Sequence, residues 1–148
     1  MKRLILLLAI IWLVIPAQAQ LAIKGGLACR KDYPTQRVVT GQYYRDFMAI
    51  SSDVYIPHCK EDNLSVSARA GINLGGEWIR FVADAIGMCE NKQFRAGYGV
   101  ELNLMFLGPL GLFARWSETY AVFGGKTCSS VWWNDGRKEV SFGVQISI

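Results

Sequence analysis

Apolar and polar residues alternate with a period of two over long stretches of the chain. From Phe94 to Phe106 the residues Phe94, Ala96, Tyr98, Val100, Leu102, Leu104 and Phe106 are interleaved with Arg95, Gly97, Gly99, Glu101, Asn103 and Met105. Val140 to Ile148 repeats the pattern, and so does Leu64 to Leu74, where Ser65, Ser67, Arg69, Gly71 and Asn73 hold the second face. Period two is the signature of a strand with two unlike faces, and the 3.6 spacing that a helix needs is missing. Less regular strands are read at Gln20–Ala28, Val38–Tyr44, Met48–Ile56, Glu77–Met88 and Leu112–Phe123, which makes about eight.

The connections alternate in length. Arg45-Asp46-Phe47, Gly75-Gly76 and Gly108-Pro109 are tight-turn signals, with Gly75-Gly76 read as a two-residue hairpin. The intervening connections, Cys29–Arg37, Pro57–Asn63, Cys89–Lys92 and Gly124–Lys138, are longer. In an up-and-down meander this places all short turns at one end and all long loops at the other. An even number of antiparallel strands without a covering helix disposes of its edges by closing.

The composition of the two faces decides which one lines the interior. One carries Gly26, Gly71, Gly97, Gly99 and Gly143 with small Ser and Asn, together with Lys24, Asp53, Arg69, Arg80, Asp84, Arg95, Glu101 and Arg115. Small residues beside charges of both signs suit a narrow lumen filled by ion pairs. The pairs expected are Glu101 with Arg95 or Arg115, and Asp84 with Arg80. The other face, rich in Leu, Ile, Val, Phe and Tyr, then faces lipid. The fold class expected is all-β: an eight-stranded antiparallel up-and-down transmembrane β-barrel, too narrow for a wide channel. Strict alternation through Leu112, Ala114 and Trp116 aims Glu118 at lipid, so a bulge or a position near the membrane interface is expected there.

Residues 1–19 read as an export signal. Lys2 and Arg3 precede an apolar run from Leu4 to Ile15, followed by Pro16 and Ala17-Gln18-Ala19. The run is shorter than the roughly 20 residues of a spanning helix, and the small-residue triplet fits signal-peptide cleavage. The domain is then 20–148, and loss of Lys2 and Arg3 lowers the net charge of +4 to +2. The 148 residues are 51% hydrophobic and 19% charged, which argues against a disordered chain, and no clustered basic stripe suggests nucleic acid. Export also exposes Cys29, Cys59, Cys89 and Cys128 to oxidising conditions. They fall in or beside four different long connections, so loop-to-loop disulfides are expected, with Cys29–Cys128 and Cys59–Cys89 favoured over the other two connectivities.

The chain resembles small bacterial outer-membrane β-barrels of the OmpA/OmpX-like "porin family" type. The likeness is carried by the opening Leu21-Ala22-Ile23-Lys24-Gly25-Gly26-Leu27, the Phe94–Phe106 strand and the last strand Val140–Ile148. It implies an outer-membrane barrel in contact with membrane lipid and lipopolysaccharide. Ending on Ile148 rather than an aromatic residue, and the four cysteines, are departures from that type. A weaker similarity of Val100–Gly124 and Phe142-Gly143-Val144 to conjugative-transposon TraO proteins implies a place in a mating apparatus.

Candidate chemistry is sparse. No C-x-x-C pair is present and His58 is the only histidine, so no metal site and no cofactor are assigned. His58 with Ser129 or Ser130 is the one conceivable base and nucleophile for a lipid A-modifying barrel enzyme, but spacing does not support it. The reading is non-enzymatic, with a structural or partner-binding role. Trp132 and Trp133, beside Arg137 and Lys138 in the longest loop, are the candidates for contact with a partner protein or lipopolysaccharide. The contrasting class is a soluble secreted ligand-binding β-barrel.

Overall fold

The computed structural model describes residues 20–30, 34–57, 64–90, 93–123 and 136–148. Its eight strands are β1 (Gln20–Arg30), β2 (Gln36–Arg45), β3 (Met48–Ile56), β4 (Ser65–Gly75), β5 (Ile79–Glu90), β6 (Gln93–Leu107), β7 (Leu110–Phe123) and β8 (Arg137–Ser147). Each pairs antiparallel with its neighbours in sequence, and β8 returns to β1 to close a barrel. Leu21 and Ile148 exchange both backbone hydrogen bonds at the seam, at 3.1 and 2.7 Å. The expected signal peptide lies outside the described residues.

The paired positions define the stagger of the wall. Gln20 leads through Tyr44, Ala49, Gly71, Asp84, Gly99, Ser117 and Glu139 back to β1 at Arg30, ten residues beyond the start. Eight strands with this stagger tilt steeply and leave an interior that side chains can fill.

The turn end differs from the expected hairpins in one place. Asp46-Phe47 and Gly108-Pro109 are two-residue turns, whereas β4 and β5 are joined by three residues, Gly76–Trp78. Gly75 is the last residue of β4, and its φ of 128° is available to glycine without strain. Gly76 N–H then donates to the Ile79 carbonyl at 2.9 Å. At the loop end, β5 and β6 are separated only by residues 91 and 92, so the connection expected at Cys89–Lys92 is as short as a turn. Both strands continue their alternation into it.

Glycine permits the tightest part of the wall. Gly26 on β1 faces Gly143 on β8, and a Cβ added to Gly26 would stand 2.2 Å from the Phe142 carbonyl oxygen. The seam can therefore close only where both residues lack a side chain. Replacement of Gly26 by Val is expected to lower stability by about 1–3 kcal/mol through this clash. Gly41→Ala, where no atom lies within 4 Å of the new methyl, should leave the urea-unfolding midpoint in detergent unchanged.

Candidate functional site

The interior is polar and the exterior apolar, the reverse of a water-soluble barrel. Leu21, Ile23, Leu27, Val39, Ile50, Val66, Ile72, Phe81, Val100, Leu104, Phe142, Val144 and Ile146 are exposed on the outer wall, while Lys24, Asp53, Arg69, Asp84, Arg95, Glu101 and Arg115 are buried inside. The alternation produces this directly, because neighbouring residues of a strand point to opposite sides of the wall.

At mid-height the charges form one network. Asp53 accepts hydrogen bonds from Thr40 Oγ1 and Ser67 Oγ, both at 2.6 Å, from Arg69 Nε at 2.7 Å and from Arg115 Nη1 at 2.9 Å. Glu101 accepts from Lys24 Nζ at 2.5 Å, Arg115 Nε at 2.7 Å and Asn103 Nδ2 at 2.8 Å. Arg115 on β7 thus ties Asp53 on β3 to Glu101 on β6 across the lumen. Lys24 also reaches Asn103 Oδ1 at 2.6 Å and the Tyr44 hydroxyl at 3.1 Å. Arg69 extends to Asp84 at 3.4 Å.

Two apolar clusters bracket this network. Ala28, Val38, Tyr55, Ile86 and Met88 lie toward the loop end, and Ala22, Tyr44, Ala49 and Val82 toward the turn end. Phe113 packs with the first cluster while its ring lies 5.3 Å from the Lys24 ammonium and 5.8 Å from the Arg115 guanidinium. These layers keep water from the ions, which strengthens every contact among them and raises the penalty for any group left unpaired.

A second ionic tier closes the loop end. Arg30 Nε donates to Glu139 at 2.6 Å and Arg30 Nη1 to Glu90 at 2.7 Å, with Arg137 pairing with the same Glu90. The Tyr55 hydroxyl donates to Glu139 at 3.0 Å, and the Arg30 guanidinium lies 4.9 Å from the Tyr55 ring centre. The space enclosed among Arg30, Tyr55, Arg69, Glu90, Arg137 and Glu139 is about 10 Å³, room for a single water molecule.

Of the expected pairs, Glu101–Arg115 is present, whereas Asp84–Arg80 is replaced. Arg80 lies half-buried at the turn end, where its Nε donates to the Gly76 carbonyl at 3.2 Å and its guanidinium stacks 4.9 Å from the Tyr44 ring. Asp84, four residues further along β5, is paired with Arg69 instead, since Arg69 approaches it from the neighbouring strand. Arg95 donates to Thr119 Oγ1 at 3.3 Å and to the Thr119 carbonyl at 2.9 Å; Glu101 takes Arg115 and Lys24. Arg137 and Lys138 belong to β8 and not to the preceding loop, because the alternation of β8 begins three residues before Val140. Arg137 turns into the loop-end tier and Lys138 outward. Trp132, Trp133, His58, Ser129 and Ser130 lie outside the described residues.

Cys29 and Cys89 form no disulfide among the described residues and lie exposed near the loop ends of β1 and β5, on opposite walls. Cys59 and Cys128 lie outside the described residues. Glu118 does face outward, and it does so without a bulge at its own position, because the β6–β7 register runs unbroken from Arg95–Ala121 to Met105–Gly111. It stands near the loop end, opposite Lys138 at the start of β8.

No protein-family model matches the chain, and no curated protein matches it. Among solved structures it is similar to the N-terminal β-barrel domain of Pseudomonas aeruginosa OprF, at 14% identity and a TM-score of 0.70 over 89% of this chain and 99% of that one. It is also similar to Neisserial surface protein A, at 12% identity and a TM-score of 0.45, covering 86% and 94%. The fold is that of small outer-membrane barrels of the OmpA/OmpX-like type. The TraO-like resemblance finds no support among these matches.

Arg115→Met leaves Asp53 and Glu101 buried without their shared cation and is expected to destabilise the barrel by about 3–5 kcal/mol. Adding Asp53→Asn and Glu101→Gln should recover part of that loss, as read from urea unfolding followed by tryptophan fluorescence.

Proposed function

We propose that the chain is an exported, non-enzymatic outer-membrane β-barrel whose role is structural or partner-binding, with a lumen closed by ion pairs. The observation that carries this reading is the inverted wall. Its outer surface is a continuous belt of Leu, Ile, Val and Phe, while a network of ions fills the centre. Water would make such a belt an association liability; a lipid layer about 25 Å thick accepts it. Phe47, Trp78 and Phe106 at the turn end, and Phe94, Tyr98 and Trp116 toward the loop end, place aromatic rings where the two interfaces of that layer would fall.

The absence of enzymatic chemistry is part of the same reading. Asp53 and Glu101 are each bound by several donors, which makes them structural anchors and not poised acids or bases. Partners are lipid and lipopolysaccharide around the wall, and a protein at the outer loops. Two disulfides, Cys29–Cys128 and Cys59–Cys89, would brace those loops. The topology favours them because Cys29 lies on β1, beside the strand that follows the loop of Cys128. Cys89 lies on β5, beside the strand that follows the loop of Cys59. Cys29 and Cys89 are too far apart to pair with each other.

The mature protein is expected to fractionate with outer membranes and to migrate differently on a gel with and without heating. Recovery as a soluble protein without detergent would refute the reading. Non-reducing peptide mapping should find the two disulfides, and four free thiols would contradict that part. His58→Ala should leave the lipid A mass spectrum unchanged.

A further inference from the structure

Glu118 is the one carboxylate on the outward face of a strand among the described residues, and the membrane reading alone gives it no role. Its surroundings are built. Tyr98 on β6 donates its hydroxyl to Glu118 Oε2 at 3.1 Å, and the Tyr120 hydroxyl hydrogen-bonds the same side chain. The Trp116 ring lies 5.9 Å from that of Tyr98, inclined at 56°, and Tyr98 is 49% exposed. Lys138 is the cross-strand neighbour of Glu118 on β8; it is exposed and makes no hydrogen bond or ion pair among the described residues.

Position narrows the ligand. Below Lys138 the outward residues of β8 are Val140, Phe142, Val144 and Ile146, all apolar, so the patch begins where the belt ends. That is the level of lipid headgroups on the loop side. An exposed ammonium suits a phosphate, and a carboxylate held by two phenols accepts hydrogen bonds from hydroxyl or amide groups. Aromatic faces pack against the C–H faces of a sugar ring. Together these are the complements of a phosphorylated amino-sugar.

We propose that Trp116, Tyr98, Glu118, Tyr120 and Lys138 form a binding site for the phosphorylated sugar headgroup of an outer-leaflet glycolipid, which rests on the outer-membrane reading above. Lys138 takes the phosphate, Glu118 and the phenols take the sugar hydroxyl and amide groups, and the Trp116 and Tyr98 rings flank the sugar.

The mature protein, folded in detergent micelles, would be mixed with lipid A or with phosphatidylethanolamine and examined by native mass spectrometry. One lipid A is expected to stay bound. Glu118→Gln and Lys138→Ala should each reduce its occupancy by about fivefold or more, as loss of a charge-assisted contact implies. Val54→Ala, on the opposite wall, should not. Heat-modifiable migration establishes that each variant is folded. Equal lipid A retention by folded Glu118→Gln and Lys138→Ala proteins would overturn the site and leave the membrane reading standing, as would retention of phosphatidylethanolamine as strong as that of lipid A. Failure of the parent protein to fold in micelles would overturn both.

Discussion

Closure of eight strands at a stagger of ten residues is the constraint from which the rest follows. It sets a narrow interior, and every inward side chain must meet others from the far wall. Arg115 on β7 therefore touches Asp53 on β3, and Lys24 on β1 touches Glu101 on β6. In an open sheet the same residues would be solvated and independent. In the closed cylinder, a charge of either sign is tolerable only with a partner within reach.

The polar interior and apolar exterior are two results of one alternation. A one-residue slip in any strand would bring its ions to the outer face and its Leu and Val residues into the lumen, so the register is specified strongly by both environments at once. The glycine pair at the seam adds a local condition. Gly26 and Gly143 must stay opposite one another for β1 and β8 to come together, which pins the register where the barrel closes.

Much of this was legible in the residue pattern. The eight strands, their order and the inward set Lys24, Asp53, Arg69, Asp84, Arg95, Glu101 and Arg115 follow from period-two alternation, which is local. The loop-end tier is not legible there, because Arg30, Glu90 and Glu139 extend the alternation just past the expected strand ends, and strand boundaries are weakly marked in a sequence. Tyr44, Tyr55, Phe113, Ile86 and Met88 carry no interior signal in the sequence, since an apolar residue looks the same in either layer; only the closed register places them between ions. Partner choice was equally hidden. Arg80 and Asp84 share a face and a strand, but Arg69 reaches Asp84 from next door.

The β1–β8 seam bears on how the protein assembles. Arg30 and Lys24 enter with the first strand, whereas Glu139 arrives with the last and Glu101 with the sixth. A sheet still lacking its final strand leaves Arg30 short of one of its two carboxylates, and a sheet not yet curled keeps Lys24 from Glu101. Partly formed states thus hold ions without their partners, so the chain has little to gain from stopping halfway, and the step that joins first strand to last also completes the pairing of its charges.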